Sequence, residues 1–301
     1  MTAIGTVGVV GLGAMGGRIA GRLLDQGYRV VGTNRTRSRA RAVIGRGLVW
    51  CDTPRTTAEH SDVVISMVTD DAALAAVTDG PDGILAGLAP GSVYVDMSTV
   101  SPSASRALAL RVGAIGAGML SAPVSGSVPA VESGTLAIMV GGTADAFERV
   151  EPLLRELGST VTFVGDVGHA LLLKLGINVS LAVQMLAFSE GVQLAERGGV
   201  DRQLALDVLT HSAIGSPMLR ARAALVLDLP EEAWFDVAMM QKDLGLALES
   251  GREEGLVMPS TTAADTMLTM ARSVGYEHRD IAALFRLLSD LAPSGDLVAT
   301  S

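Results

Sequence analysis

Near its start the chain reads TVGVVGLGAMG, from Thr6 to Gly16. The apolar first half of this run is typical of a buried strand, and the segment from Met15 to Gln26 that follows has the pattern of a helix. A second strand-like run, Tyr28 to Thr33, comes next. Strand, glycine-rich turn, helix and strand in this order predict a Rossmann-type unit.

The glycines of this run have the spacing G-x-G-x-x-G, and each meets a separate requirement. Gly11 permits a tight turn out of the strand, Gly13 lets the backbone approach a pyrophosphate, and Gly16 lets the helix pack closely on the sheet. The helix N-terminus presents free N–H groups and a partial positive charge to phosphates. In preference to a purely structural glycine turn, we predict a dinucleotide site whose loop contacts are Gly11, Leu12, Gly13, Ala14, Met15 and Gly16.

The residues after the second strand bear on the choice of cofactor. NAD-preferring sites usually carry an Asp or Glu here for the ribose 2′-OH, whereas this chain reads Thr33-Asn34-Arg35-Thr36-Arg37. Arg35 can pair with a 2′-phosphate or stack on adenine, and Asn34 and Thr36 can hydrogen-bond to the phosphate. The alternative is that these side chains form a solvated basic helix face, made of Arg35, Arg37, Arg39 and Arg41. Because Arg35 lies at the strand tip, we predict NADPH rather than NADH.

The composition is that of a globular acidic protein, with 49% hydrophobic residues, 18% charged residues and a formal net charge of −9. The length of 301 residues suggests about two domains. The negative charge argues against nucleic acid as a partner. Cys51 is the single cysteine, so no internal disulfide forms and a cytoplasmic location is expected. The start of the chain has no signal-peptide pattern, and no metal site is expected from the scattered His60, His169, His211 and His278.

The first half of the chain alternates short β-branched runs with helix-like segments, which predicts a parallel α/β sheet. Further strand signals lie at Gly47–Cys51, Asp62–Val68, Val93–Val95, Met119–Val124, Leu136–Val140 and Val161–Val164. After Gly168 helical spacing prevails, in Leu171–Arg197, Arg202–Ser212, Met218–Val226, Met239–Glu254 and Thr261–Val274. We predict an α/β Rossmann-type N-terminal domain over residues 1–165 and an all-α C-terminal domain over 166–301, which binds substrate and forms a dimer. A long interdomain helix at about 168–197 joins them, and a loose tail follows from Pro293.

The segment Ala170–Gly191 is apolar enough to suggest a membrane span. It is nevertheless too polar for a simple span, since it contains Lys174, Asn178, Ser180, Gln184, Ser189 and Glu190. We therefore expect a helix buried between protein surfaces, and no membrane partner.

Polar residues follow the predicted strands, at the carboxyl ends where such sheets bind ligands. Met67 and Val68 end one strand and are predicted to contact the cofactor. Asp96-Met97-Ser98-Thr99 ends the next, and Thr99 is predicted to face both cofactor and substrate, while Ser101 caps the following helix. The turn Ser125-Gly126-Ser127 offers amides and hydroxyls suited to a carboxylate, although a plain loop would explain it equally well.

Lys174 lies in an apolar part of the long predicted helix, and Asn178 follows one turn later on the same face. Burial of a lysine there should lower its pKa. An ammonium near a carbonyl oxygen can donate a proton as hydride arrives at carbon. A lysine that snorkels from the helix edge to solvent is the alternative.

Taken together, five blocks resemble in order and spacing the signatures of the β-hydroxyacid dehydrogenases, which include 3-hydroxyisobutyrate dehydrogenase, tartronate semialdehyde reductase and the glyoxylate/succinic semialdehyde reductases. The blocks are Gly11–Leu24, Asp96–Pro102, Ala122–Gly142, Gly168–Asn178 and Phe235–Leu248. The resemblance covers nearly the whole chain.

The resemblance implies a role for several residues. Lys174 would be the catalytic acid/base and Asn178 would help to hold the substrate. Thr99, Ser125, Gly126, Phe235 and Asp243 would line the substrate pocket, with Phe235 closing it from the helical domain. Lys242 would reach the cofactor, although by composition alone it is a solvated helix residue.

The chain departs from the family pattern at three positions. Ile177 replaces the first of two asparagines, Ser127 replaces the second glycine of a Ser-Gly-Gly turn, and Ser121 stands where an acidic residue is common. The turn resembles the glyoxylate/succinic semialdehyde branch more than the hydroxyisobutyrate branch.

These features predict a cytoplasmic NADPH-dependent reductase of a small carboxylate-bearing carbonyl substrate, an aldehyde-acid or keto-acid, which assembles as a homodimer or homotetramer. One rival is an imine reductase of similar fold, although members of that group typically carry Asp or Tyr at the position of Lys174. The other is a non-catalytic scaffold on the same fold, whose members are expected to lose the lysine.

Overall fold

A computed structural model describes residues 4–291 of the protein, in two compact units that meet between Ile177 and Asn178 along the chain. The predicted tail from Pro293 lies outside the described residues. The strands of the first unit are β1 (Thr6–Val10), β2 (Arg29–Thr33), β3 (Val49–Trp50), β4 (Val63–Ser66), β5 (Val93–Asp96), β6 (Gly118–Ser121), β7 (Val124–Ser125), β8 (Ala137–Gly142) and β9 (Thr160–Gly165).

Eight helices complete the first unit, with a 3₁₀ turn at Arg37–Ala40. They are α1 (Ala14–Asp25), α2 (Arg41–Gly45), α3 (Pro54–Glu59), α4 (Asp71–Thr78), α5 (Ile84–Gly87), α6 (Pro102–Ala114), α7 (Val128–Ser133) and α8 (Ala144–Leu157). Helix α9 (Val167–Arg197) begins in this unit and continues into the second. The second unit adds α10 (Arg202–His211), α11 (Pro217–Leu227), α12 (Val237–Glu253), α13 (Pro259–Ser273) and α14 (Ala283–Leu291).

The sheet has the strand order β3-β2-β1-β4-β5-β6-β8-β7, with β9 paired to β8. Strands β1 to β6 are parallel, which confirms the Rossmann-type domain. Strand β8 departs from the predicted parallel arrangement and runs antiparallel to β6 and β7. Its direction depends on the strands with which it pairs, which the pattern of the sequence does not specify.

The central strands are buried on both faces, as their continuous apolar sequences predict. Val7 and Val9 of β1 belong to the core on one face of the sheet, and Val10 belongs to the core on the other. Helix α1 packs Ile19 and Leu23 into the first of these cores. This packing fixes the carboxyl ends of β1, β4 and β5 side by side, since Val10, Ser66 and Asp96 are in register.

Helix α9 is the one described helix whose length and composition would suffice to cross a membrane. Its Leu171 packs in the first unit, and its Phe188 packs in the helical core of the second. Of its most apolar 18 residues, 33% are buried. The expected burial between protein surfaces therefore holds for only part of the helix surface. Leu173 and Leu194 are among its exposed residues.

The second unit is helical, as predicted, with a core drawn from α9 to α14. Helix α14 lies outside the predicted elements. It has nine residues with a pronounced apolar face, which buries Leu284, Phe285 and Leu287.

Candidate active site

The glycine loop is shaped by the close approach of β4. Gly11 has a φ of +94°, which favours glycine, and a Cβ there would lie 2.3 Å from the carbonyl oxygen of Met67. A Cβ on Gly16 would lie 1.9 Å from the carbonyl oxygen of Gly11. Gly13, in contrast, has nothing within 4 Å of its Cβ position and a negative φ. Gly11 and Gly16 therefore serve the fold, and Gly13 leaves open space above the turn.

The N-terminus of α1 offers its amides to an anion. Gly13 is the N-cap, no side chain caps the helix, and no acidic residue lies in its first turn. By contrast, four other helices of this unit are capped by the side chains of Thr53, Asp70, Ser101 and Thr143. Ser101 accepts from the Ala104 amide at 3.1 Å, as predicted. The open turn and uncapped amides fit the diphosphate of a dinucleotide.

Asn34 links the end of β2 to the glycine loop. Its Oδ1 accepts from the Leu12 amide at 3.1 Å, and its Nδ2 donates to the Thr36 carbonyl at 2.9 Å. Asn34 therefore positions the loop, while the phosphate contact predicted for it stays a prediction. Arg35 and Thr36 are exposed beside it.

Arg37 has a different environment from Arg35. Its guanidinium lies 5.2 Å from the ring centroid of Trp50, within cation–π distance. Both arginines are exposed, and they are separable because Arg37 stacks on an aromatic ring.

The carboxyl ends of β4 and β5 are tied by a buried polar network around Asp96. Its Oδ1 accepts from the Ser66 hydroxyl at 2.7 Å and from the Ser98 amide at 3.1 Å. Ser98 Oγ in turn accepts from the Val68 amide at 2.9 Å. Burial raises the pKa of Asp96, and its hydrogen bonds with Ser98 and Ser66 oppose the rise.

This network holds the segment with Met67 and Val68 against the segment with Thr99, which is partly buried. Sequence reasoning did not single out Asp96. A carboxylate that ends the otherwise apolar strand β5 is the signal that could have found it, because a buried charge needs partners.

The turn at Ser125-Gly126-Ser127 follows β7. Gly126 has a φ of +137°, and a Cβ there would lie 2.8 Å from the side chain of Leu136. Ser127 is the N-cap of α7 but makes no side-chain cap. Glycine is therefore required at 126, and Ser125 is partly buried beside it.

Lys174 and Asn178 lie one turn apart on α9, as predicted. Lys174 is partly buried, between the buried Leu171 and Leu175. Asn178 is 1% exposed, and its Nδ2 donates to Asp243 Oδ2.

Helix α12 brings two further predicted residues to Asn178. Asp243 is buried, and Lys242 Nζ lies 2.6 Å from Asp243 Oδ1, with the Lys242 side chain only 22% exposed. Lys242 is therefore not the solvated helix residue that its composition suggests. Asn178, Lys242 and Asp243 form one polar cluster in the second unit. Phe235 lies in the segment that precedes α12 and is partly buried.

Across residues 4–291, no group of three His, Cys, Asp or Glu is arranged to hold a metal ion.

Two family profiles match the chain. Residues 6–165 match the NAD binding domain of 6-phosphogluconate dehydrogenase. Residues 168–288 match the NAD-binding family of NADP-dependent 3-hydroxyisobutyrate dehydrogenase.

Several similar proteins are named as dehydrogenases or reductases. Glyoxylate/succinic semialdehyde reductase 1 of Arabidopsis thaliana is 32% identical over 278 residues, covering 92% of this chain and 96% of that protein. 2-(Hydroxymethyl)glutarate dehydrogenase of Eubacterium barkeri is 30% identical over 282 residues, covering 93% and 94%.

Solved structures give the same result. A 3-hydroxyisobutyrate dehydrogenase of Salmonella typhimurium has a TM-score of 0.85 and 28% identity, covering 94% of this chain and 99% of that one. Psf3 in complex with NADP+ and 2-OPP has a TM-score of 0.87 and 28% identity, with the same coverage. An imine reductase from Pseudomonas sp. is more distant, at a TM-score of 0.63 and 25% identity, covering 95% and 100%. The chain therefore belongs to the β-hydroxyacid dehydrogenase family, and it is an NAD(P)-dependent oxidoreductase of the 3-hydroxyisobutyrate dehydrogenase-like type.

Proposed function

We propose that the protein is an NADPH-dependent reductase that interconverts a small aldehyde-acid or keto-acid and its hydroxyacid. The observation that carries the proposal is the pairing on α9 of a partly buried Lys174 with a buried Asn178, whose amide is fixed by Asp243. A cation and an amide held one turn apart suit recognition of a carbonyl oxygen and its neighbouring polar groups.

Lys174 is the general acid in reduction and the general base in the reverse direction. The reduced nicotinamide, when bound, supplies the hydride for the carbonyl carbon. The Lys174 ammonium donates a proton from Nζ to the carbonyl oxygen, and the neutral amine is reprotonated from solvent. Thr99, Ser125 and Gly126 orient the substrate carboxylate, and this positioning is itself a large part of such catalysis. Asn178 holds the substrate, and Phe235 shields it from water.

The glycine loop and the tip of β2 would hold the cofactor. The open space above Gly13 and the uncapped amides of α1 would receive the diphosphate. The exposed Arg35, with Thr36, would receive the 2′-phosphate, and Met67, Val68 and Lys242 would contact the rest. Arg35→Ala should therefore weaken NADPH at least about tenfold more than NADH. Arg37→Ala is the matched control, because the Arg37 guanidinium already stacks on Trp50. Equal losses for both cofactors on Arg35→Ala would overturn the preference.

The names of the relatives support a small oxo-acid as substrate. The test is NADPH oxidation with glyoxylate, succinic semialdehyde, tartronate semialdehyde and one cyclic imine. We expect turnover of an aldehyde-acid, and the preferred one of the three would name the branch. Turnover of the imine alone would move the protein to the imine reductases.

We also propose a cytoplasmic homodimer or homotetramer. The single cysteine of the sequence fits a reducing compartment. Leu194, Leu204 and Val208 are all more than half exposed in the second unit, and such apolar surface is typical of a subunit interface. Leu204→Glu should lower the molar mass measured by light scattering, and a wild-type monomer would contradict the proposal.

A further inference from the structure

The second unit contains a buried ion pair, formed by residues other than Asn178, Lys242 and Asp243. Arg222 of α11 is 7% exposed and Asp280, in the turn before α14, is 0% exposed. Arg222 Nε lies 3.6 Å from Asp280 Oδ1. Burial lowers the pKa of the Arg222 guanidinium, and Asp280 opposes that change. A buried pair of this kind is weak evidence for stability, since its desolvation offsets much of its attraction. Its neighbours therefore decide its role.

Arg222 and Asp280 both contact Trp234. The Arg222 guanidinium lies 5.8 Å from the ring centroid of Trp234. Asp280 Oδ2 accepts from the Trp234 amide at 3.0 Å and from the Phe235 amide at 3.2 Å. Asp280 Oδ1 accepts from the Ala282 amide at 3.1 Å, so the carboxylate also fixes its own turn.

Backbone pairing extends this anchorage to α12. The Ile281 amide donates to the Phe235 carbonyl at 3.1 Å, and the Val237 amide donates to the Arg279 carbonyl at 3.0 Å. Asp236 lies between these bonds, bridges Asp280 through the backbone, and caps α12 by accepting from the Met239 amide at 2.7 Å. We call the paired segments 234–237 and 279–281 the clasp.

The clasp therefore fixes two things that the proposed function needs. One is Phe235, which is proposed to shield the substrate. The other is the first turn of α12, the helix that carries Lys242 and Asp243.

We infer that Arg222 and Asp280 are positioning residues for substrate binding, which act through the clasp. The inference rests on the proposed function for the role of Phe235, but not for the anchorage itself. Loss of the pair should release Trp234 and Phe235 and weaken substrate binding. Hydride transfer and cofactor binding should change little, because Lys242 lies beyond the first turn of α12 and is held by its own ion pair with Asp243.

The test uses Arg222→Lys and Asp280→Asn in the full-length protein. Arg222→Lys keeps the cation but loses the planar stack on Trp234, and Asp280→Asn removes one of two accepting oxygens. The control is Val192→Ala, which removes buried volume from α9 in the same helical core but lies outside the paired segments of the clasp. Because the sequence has two tryptophans, Trp50→Phe leaves Trp234 as the sole tryptophan in every variant, so selective excitation of tryptophan reports on it alone.

Both pair variants should raise the KM for the aldehyde-acid at least about tenfold, while kcat and the NADPH Kd change less than about threefold. Acrylamide should quench Trp234 more strongly in both than in Val192→Ala, even at equal melting temperature. Unchanged Trp234 quenching, or an unchanged KM with only a lowered melting temperature, would overturn the inference. If the wild type reduces no carbonyl acid, the proposed function fails by that result, and Trp234 quenching still decides the anchorage.

Discussion

Single glycine-to-alanine substitutions in the glycine loop can distinguish effects on cofactor binding from effects on folding. Gly13→Ala places a Cβ where nothing lies within 4 Å, on a backbone with φ −77° that alanine accepts. Alanine is a poorer N-cap than glycine, which costs up to about 1 kcal/mol. Alanine also restricts the unfolded chain more than glycine does, which stabilises the folded protein by about 0.4–1 kcal/mol. The free energy of unfolding should therefore change by less than about 1 kcal/mol.

The same methyl group would occupy the space proposed for the diphosphate. It would lengthen at least one charge-assisted hydrogen bond between a backbone amide and a phosphate oxygen, and such a bond contributes about 1.5–3 kcal/mol. The Kd of NADPH should therefore rise about 10- to 100-fold.

Two neighbouring glycines provide the controls. Gly17→Ala puts a Cβ 3.5 Å from the Leu12 carbonyl oxygen, an ordinary contact, so folding and NADPH binding should both be preserved. Gly16→Ala puts it 1.9 Å from the Gly11 carbonyl oxygen, so the backbone must shift at a cost of about 1–3 kcal/mol. Thermal unfolding and calorimetric titration with NADPH measure the two effects. A Gly13→Ala protein that binds NADPH as tightly as the wild type would refute the placement of the diphosphate on this turn.

Substitutions at Asn34, Asp96 and Gly126 test three further contacts. Asn34→Asp keeps the acceptor for the Leu12 amide but places a carboxylate beside the proposed 2′-phosphate. Titration should therefore show that the ratio of NADPH affinity to NADH affinity falls at least about tenfold. An unchanged ratio would contradict the proposed phosphate site. Asp96 has a raised pKa, so the folded protein binds its proton more tightly than the unfolded chain and stability falls as pH rises from the ordinary to the raised pKa. The Asp96→Asn side chain does not titrate, so its free energy of unfolding, measured by denaturant titration, should fall less over this pH range. A pH dependence equal to that of the wild type would argue against a raised pKa at Asp96. Gly126→Ala should lower the melting temperature, because the Cβ meets Leu136 at a φ of +137°, and an unchanged melting temperature would show that the turn adjusts.

Local rules account for the parts of the fold that the sequence predicts. Glycine is required at position 11 by the positive φ of the turn, which the order of strand, turn and helix predicts. The cap at Ser101 is likewise set within one turn of chain. The direction of β8 could not be predicted in this way, because it depends on which strand it pairs with.

The polar side chains that hold the site together join distant parts of the chain. Asn178 meets Asp243 across 65 residues of sequence, and Asp280 meets the Trp234 amide across 46. No periodicity or spacing encodes such pairings. Residues such as Lys174, Asn178 and Asp243 could be proposed from the sequence. The hydrogen bonds that orient them could be seen only in the structure.

The central claim is that Lys174 supplies the proton for carbonyl reduction. Single-turnover reduction of succinic semialdehyde by the NADPH-loaded protein tests it most directly, with Lys174→Ala compared with the wild type and the Kd of NADPH measured in parallel. Lys174→Ala should slow the step about 10²- to 10⁴-fold, the usual contribution of a general acid, while NADPH binds as before. An unchanged rate in Lys174→Ala would contradict the account.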